Sequence, residues 1–262
     1  MILIITFFFN TVGLFMNLIA HRGFSSKAPE NTFASFDMAI KNGFNIIELD
    51  VHLTRDKVPI IMHDYKIDRT TNGKGLVKEF NYNDIKKLDA GRWFSKSFKE
   101  ERVPVLKDVL DKYADNAHLQ IELKSYDPDL PQLVIDLINK CGWSDKSNNT
   151  PYQVPGFSIT SFNLNHVIKA IEISPNFRVG WLLNNVTKSK IIKILSEYNI
   201  GMIIPNVHDD IWTDEEFIEF ISKKNLVMCA WGAKSESDVS KMKKLGAKAM
   251  TVDWPDVAKK FI

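Results

Sequence analysis

From residue 17 onward, short apolar runs alternate with stretches in which apolar positions recur every three to four residues. The runs at 17–20, 46–52, 119–124, 157–161, 178–183, 201–205, 226–231 and 248–253 read as strands. The stretches at 31–41, 106–114, 130–140, 164–173, 188–198, 214–223, 237–245 and 256–262 read as helices. In the first helix Phe33, Phe36, Ala39 and Ile40 share a face, Asn31 or Thr32 caps the start, and Gly43 ends it. One run breaks the rhythm. Residues 58–63 follow 51–54 after only Arg55-Asp56-Lys57. A parallel crossover needs about a dozen residues, so this run is the returning arm of an antiparallel hairpin. Setting it aside leaves eight β/α units, the number that closes a (β/α)8, or TIM, barrel. Residues 54 to about 104 then form a small inserted subdomain after the second strand, with a turn-rich Asn72-Gly73-Lys74-Gly75 and a short helical piece at 84–88. An open dinucleotide-binding sheet would carry a glycine-rich turn after the first strand; His21-Arg22-Gly23 stands there instead.

The barrel thus occupies 17–262, and an apolar segment, 1–16, precedes it. No charged side chain occurs in the first 20 residues, a length of apolar chain that can span a bilayer. Three readings stay open: a membrane anchor or signal peptide, a start-codon artefact with Met16 as the true first residue, or an extra element packed on the barrel. A signal should carry a basic n-region and a small-residue cleavage site, and neither is evident. A cytoplasmic location is favoured, with anchoring or export following only if residues 1–16 are made. The remaining composition is that of a soluble globular chain: 45% hydrophobic, 25% charged, with 34 basic and 32 acidic residues. That balance leaves no electrostatic footprint for nucleic acid. Cys141 and Cys229 make no disulfide framework and read as buried structural thiols. Oligomeric state has no signature in the sequence.

Ionisable residues collect at the carboxyl ends of strands, where barrel enzymes keep their chemistry. His21 and Arg22 follow the first strand. Glu48 and Asp50 share one face of the second, Glu122 and Lys124 one face of the next, and Asp253 closes the last. Any one such residue reads easily as a solvated rim group; the set on neighbouring strands does not. Glu48, Asp50 and Glu122 offer only oxygen, which suits one hard divalent cation, Ca²⁺ or Mg²⁺, over Zn²⁺. Arg22 and Lys124 add the positive charge that an anionic, phosphate-bearing substrate needs. His63 ends the hairpin arm and returns to the rim, so His21 and His63 face a phosphate from two sides as an acid–base pair. His52 reads as a structural rim histidine. Trp231 either lines the pocket or tops the barrel core.

Several motifs join these residues: IAHRG at 19–23, APENT at 28–32, ELDV at 48–51, LTRD at 53–56, IIMHD at 60–64, DRTTNGKG at 68–75, DAG at 89–91 and IELK at 121–124. Together they resemble the glycerophosphodiester phosphodiesterases over residues 17–262. VDWPD at 252–256 is similar to that family's closing Thr-Asp-x-Pro-Asp, with Val252 where Thr is usual, and Trp231-Gly232-Ala233 departs from the usual Trp-Thr. The resemblance implies a TIM barrel with an inserted subdomain, metal ligation by Glu48, Asp50 and Glu122, acid–base roles for His21 and His63, and Arg22 and Lys124 on the phosphate. The activity it implies is metal-dependent hydrolysis of small glycerophosphodiesters to sn-glycerol 3-phosphate and an alcohol. Two other readings are a lysophospholipase D acting on lipids, which the apolar 1–16 would suit, and an inactive barrel serving as a binding module.

Overall fold

The computed structural model describes residues 16–147 and 150–262. The apolar stretch 1–15, and with it the question of anchor, signal or start, lies outside the described residues. The alternation seen in the sequence becomes β1 (Asn17–Ala20), α1 (Phe33–Lys41), β2 (Ile46–Leu53), β3 (Pro59–Ile61), α2 (Tyr82–Ile85), α3 (Leu106–Tyr113), β4 (His118–Leu123), α4 (Leu130–Lys140), β5 (Gly156–Ser161), α5 (Leu164–Ile173), β6 (Val179–Leu182), α6 (Lys188–Glu197), β7 (Met202–Ile204), α7 (Glu215–Lys223), β8 (Val227–Met228), α8 (Glu236–Lys244), β9 (Ala249–Val252) and α9 (Pro255–Ala258). All strands but β3 are parallel, in the order β8-β7-β6-β5-β4-β2-β1-β9. The result is a nearly closed (β/α)8 barrel.

The seam lies between β8 and β9. Ala230 N–H donates to Ala249 O (2.9 Å) and Lys248 N–H to Met228 O (2.9 Å), while Trp231 N–H turns to Pro205 O on the other side (3.2 Å). This explains why the predicted 226–231 strand is regular only over Val227–Met228: its residues divide their bonds between two neighbours. β3 is antiparallel to the end of β2, with His52 opposite Ile60 and Leu53 opposite Pro59.

The helices pack as their spacing dictates. α3 buries Leu106, Val109, Leu110 and Tyr113, and α4 buries Leu130, Val134, Ile135 and Ile138. Of the two candidate caps of α1, Thr32 is the one used, in a reciprocal pair with Ser35. Strand residues of one parity (Ile47, Leu49, Val51, Leu119, Ile121, Leu123) meet the helices in the main core. Ile19, Ile46, Leu182, Met202, Ile204 and Ala249 form a second, smaller cluster with Tyr152 and Cys229. A third cluster, including Ile60, Met62, Ile67, Val77, Ile85 and Val103, lies within the 54–105 excursion.

The thiols divide. Cys229 is buried, as expected, but Cys141 is half-exposed because it follows the last turn of α4 as its C-cap.

Candidate active site

The chain leaves β1 through a tight turn. Arg22 takes a left-handed backbone, φ +56°, and Gly23 follows at φ +81°. A Cβ on Gly23 would lie 2.4 Å from Ser35 Oγ, so glycine is required there. The strained residue is the one that reaches the site, a common place for strain to be stored. Arg22 N–H donates to Glu48 Oε2 (3.0 Å), and its guanidinium lies 3.3 Å from Asp50 Oδ2 and bonds Glu30 Oε1 (2.8 Å).

Register delivers the carboxylates. β2 and β4 pair so that Asp50 stands opposite Glu122 and Glu48 opposite Gln120. Ligand oxygens of Glu48, Asp50 and Glu122 lie within 4.8 Å of one another, and all three residues are buried. Lys124 Nζ is 2.8 Å from Glu122 Oε1 and 3.5 Å from Asp50 Oδ1. Asn31, at φ +58°, donates from Nδ2 to Asp50 Oδ2 (2.8 Å).

Three buried carboxylates thus face two nearby cations. Burial, then the charges of Asp50 and Glu122, drives Glu48 well above the usual carboxylate range. Burial and Asp50 raise Glu122 despite Lys124. Burial also works against Asp50, but Lys124 and Arg22 outweigh it and hold this carboxyl low. The cluster is short of positive charge. Glu48 Oε1 and Asp50 Oδ1 are buried with no hydrogen-bond partner among the described residues. Orphaned oxygens on an all-oxygen donor set fit a hard divalent cation.

Two histidines flank this cluster, each backed by an aspartate. His21 Nδ1 is 2.6 Å from Asp253 Oδ1, which also accepts from Ser25 Oγ (3.0 Å). His21 Nε2 is 3.9 Å from Glu48 Oε2. His63 Nδ1 is 2.6 Å from Asp64 Oδ1. Burial lowers the His63 pKa, with Asp50 and Asp64 opposing that shift. His52, buried and held down to about 4 by desolvation, bonds the His63 carbonyl through Nε2 (3.0 Å). It is therefore more than a rim residue: it fixes the end of the hairpin arm.

Trp231 is half-buried. Its Nε1–H donates to Leu183 O (2.9 Å), and its ring meets Phe162 edge to face at 5.2 Å. Phe162 in turn lies under Lys124 Nζ, 5.6 Å from its ring centre. Tyr126, 75% exposed, stacks parallel on Tyr65 at 5.8 Å, and Tyr65 OH donates to Lys124 O (3.1 Å).

Sequence reasoning thus identified residues that the fold brings together: His21, Arg22, Glu48, Asp50, His63, Glu122 and Lys124. It assigned no role to Glu30, Asp64, Arg69 or Tyr126, and offered Asn31 only as a helix cap. Glu30, Asn31 and Arg69 fall inside the APENT and DRTTNGKG motifs, which was the available signal.

Residues 21–257 match the glycerophosphoryl diester phosphodiesterase family. A glycerophosphodiester phosphodiesterase of Bacillus subtilis is 32% identical over 249 residues, covering 91% of this chain and 84% of its own. One from Caldanaerobacter subterraneus is 31% identical, covering 91% and 94%. Among solved structures, a glycerophosphodiester phosphodiesterase from Agrobacterium tumefaciens superposes with a TM-score of 0.78 at 28% identity, over 94% of this chain and 100% of the other. An Oleispira antarctica phosphodiesterase in complex with the product sn-glycerol-3-phosphate shares the fold at TM-score 0.82 and 24% identity, over 94% and 96%. Barrel, rim chemistry and relatives define a phosphoric diester hydrolase. The chain belongs to the glycerophosphoryl diester phosphodiesterase family.

Proposed function

We propose that this protein hydrolyses small glycerophosphodiesters to sn-glycerol 3-phosphate and the head-group alcohol, using His21 as base, His63 as acid, and one divalent cation on Glu48, Asp50 and Glu122. The observation that carries the reading is the pair of aspartate-backed histidines flanking a buried carboxylate cluster with orphaned oxygens. Bound there, Ca²⁺ or Mg²⁺ would offset the carboxylates and polarise a phosphoryl oxygen.

The chain's own groups account for binding and proton transfer. Arg22 and Lys124 are positioned to hold the remaining phosphate oxygens. Asp253 accepts from His21 Nδ1, so the lone pair of His21 Nε2 faces the cleft. There it takes the proton of a glycerol hydroxyl as that oxygen bonds to phosphorus. The bond from phosphorus to the head-group oxygen breaks, and His63 Nε2 gives that oxygen a proton. The roles then reverse: His63 deprotonates water, which opens the cyclic ester, and His21 returns its proton to the glycerol oxygen. The 54–104 subdomain covers the head-group side. The complete histidine and carboxylate set weighs against an inactive binding barrel. The lysophospholipase D reading draws on residues 1–16 and has no support of its own in the barrel.

The test is an enzyme-coupled assay of sn-glycerol 3-phosphate release from glycerophosphoethanolamine. His21→Ala and His63→Ala should each lower turnover by roughly 10²-fold or more. Release of phosphoethanolamine instead, or turnover untouched by both variants, would overturn the reading.

A further inference from the structure

The loop at 68–75 is tied to itself. Thr71 Oγ1 donates to Ile67 O (2.6 Å), Gly73 N–H to Thr71 Oγ1 (3.0 Å), and Gly75 N–H to Asp68 Oδ1 (2.9 Å). From this frame Arg69 turns back toward the rim and makes two forks. Its Nε and Nη2 bond the two oxygens of Asp64 (2.7 and 3.0 Å), and its Nη1 and Nη2 bond the two oxygens of Glu30 (2.7 and 2.8 Å). Asp64 is the residue on His63 Nδ1, and Glu30 also receives Arg22 Nη1. A continuous line therefore runs from His63 through Asp64, Arg69 and Glu30 to Arg22. It joins the excursion to the turn after β1.

We propose that Arg69 is a positioning residue for His63: it locks Asp64 from one side and braces itself on Glu30 from the other. The inference rests on the acid role given to His63 above. A single half-exposed ion pair would add little to stability. Two planar forks do something else: they fix both the place and the plane of the Asp64 carboxylate. That carboxylate sets the tilt of the His63 ring about the hydrogen bond at Nδ1, and so the direction in which Nε2 offers its proton. His52 pins the backbone of the same residue. Because the line ends on Arg22, the acid is held at a set distance from the group proposed to bind phosphate. Both carboxylates stay ionised: the Arg69 bonds draw Asp64 far down, and Arg69 with Arg22 overcomes the burial of Glu30.

The experiment compares two substrates on the full chain with Mg²⁺ or Ca²⁺ present. Glycerophosphoethanolamine needs a protonated leaving group; the 4-nitrophenyl phosphodiester of glycerol does not. Arg69→Gln should lower kcat on the first by roughly 10- to 100-fold, the scale set by misplacing a catalytic group. It should change the single-turnover rate of nitrophenolate release from the second, a step that precedes the base role of His63 on water, by less than about twofold, and leave KM for the first nearly unchanged. Arg69→Lys, which keeps the charge without the forks, should fall between and serves if Arg69→Gln does not fold. In a His63→Ala background, Arg69→Gln should cost nothing further. Equal losses on both substrates, or none on either, would make Arg69 a structural strap and overturn the proposal. If His63→Ala itself slows single-turnover release of the alcohol and of nitrophenolate equally, it is the acid assignment that fails.

Discussion

His118 opens β4 at the base of the barrel, four residues before Glu122 on the same strand, and is 2% exposed. Its Nδ1 is 3.0 Å from Gln153 O and its Nε2 is 3.2 Å from Ser158 Oγ. A carbonyl can only accept, so Nδ1 carries the proton and Nε2 accepts from the serine. A second proton on this neutral ring would force the Ser158 hydroxyl to turn from donor to acceptor, and burial holds the ring's pKa near 4 against an ordinary 6.5. The unfolded chain therefore binds more protons than the folded one between those values, and stability must fall as pH drops below 6.5. Between pH 7 and pH 5 the loss from this one group comes to about 2 kcal/mol, levelling at about 3 kcal/mol below pH 4. Urea unfolding of the protein and of His118→Gln at both pH values isolates the contribution of this ring. The drop from pH 7 to 5 should be larger in the parent by about 2 kcal/mol. Nitrogen NMR should show the Nδ1–H tautomer unchanged across the range. Parallel stability curves, within about 0.5 kcal/mol, would mean that the ring titrates inside the fold as it does in water and would refute the reasoning.

Three further outcomes are expected. Chelator should abolish activity, excess Mg²⁺ or Ca²⁺ should restore it and raise the melting temperature, and Glu122→Gln should weaken calorimetric binding of either ion; full activity in chelator would remove the metal from the reading. Tyr126→Ala and Trp231→Ala should reorder head-group preference by severalfold while sparing thermal stability, because both rings flank Lys124 through Tyr65 and Phe162; a uniform loss across head groups would assign them to packing. A chain beginning at Met16, whose side chain is 1% exposed in the main core, should fold and turn over soluble substrate at the normal rate; a lower melting temperature would show that residues 1–15 pack on the barrel.

What could be read from the sequence follows a physical division. Strand and helix order was legible because each element carries its own period, and the hairpin because three residues cannot make a crossover. The carboxylate cluster was legible because i, i+2 spacing on adjacent parallel strands forces side chains onto one face at one height. β8 was overestimated because the break lies in how its partners divide across the seam, which no local pattern records. Arg69, Glu30 and Asp64 went unassigned for a related reason. Their contacts join two loops whose relative placement follows from the folded excursion, and charge runs in loops look alike whether solvated or forked. The sequence offers Asn31 as a candidate cap; at φ +58° its side chain turns away from α1 to Asp50, leaving the cap to Thr32.

The excursion also begins and ends on one patch of backbone. Ile60 bridges Val105, and Ile61 N–H donates to Pro104 O at 2.8 Å, beside the pairing of β3 with β2. The chain's exit and return are therefore already side by side, and the entropy of closing that loop grows only slowly with its length. The length between Asp64 and Pro104 is thus a nearly free variable for the barrel, so long as the cluster around Ile67, Val77, Ile85 and Val103 is replaced by an equivalent core. A segment transplanted from a relative there, with His63, Asp64 and Arg69 retained, should exchange the wall against the departing alcohol while the reaction beneath it stays the same. In evolutionary terms, this is where new substrates could be acquired without renegotiating the fold.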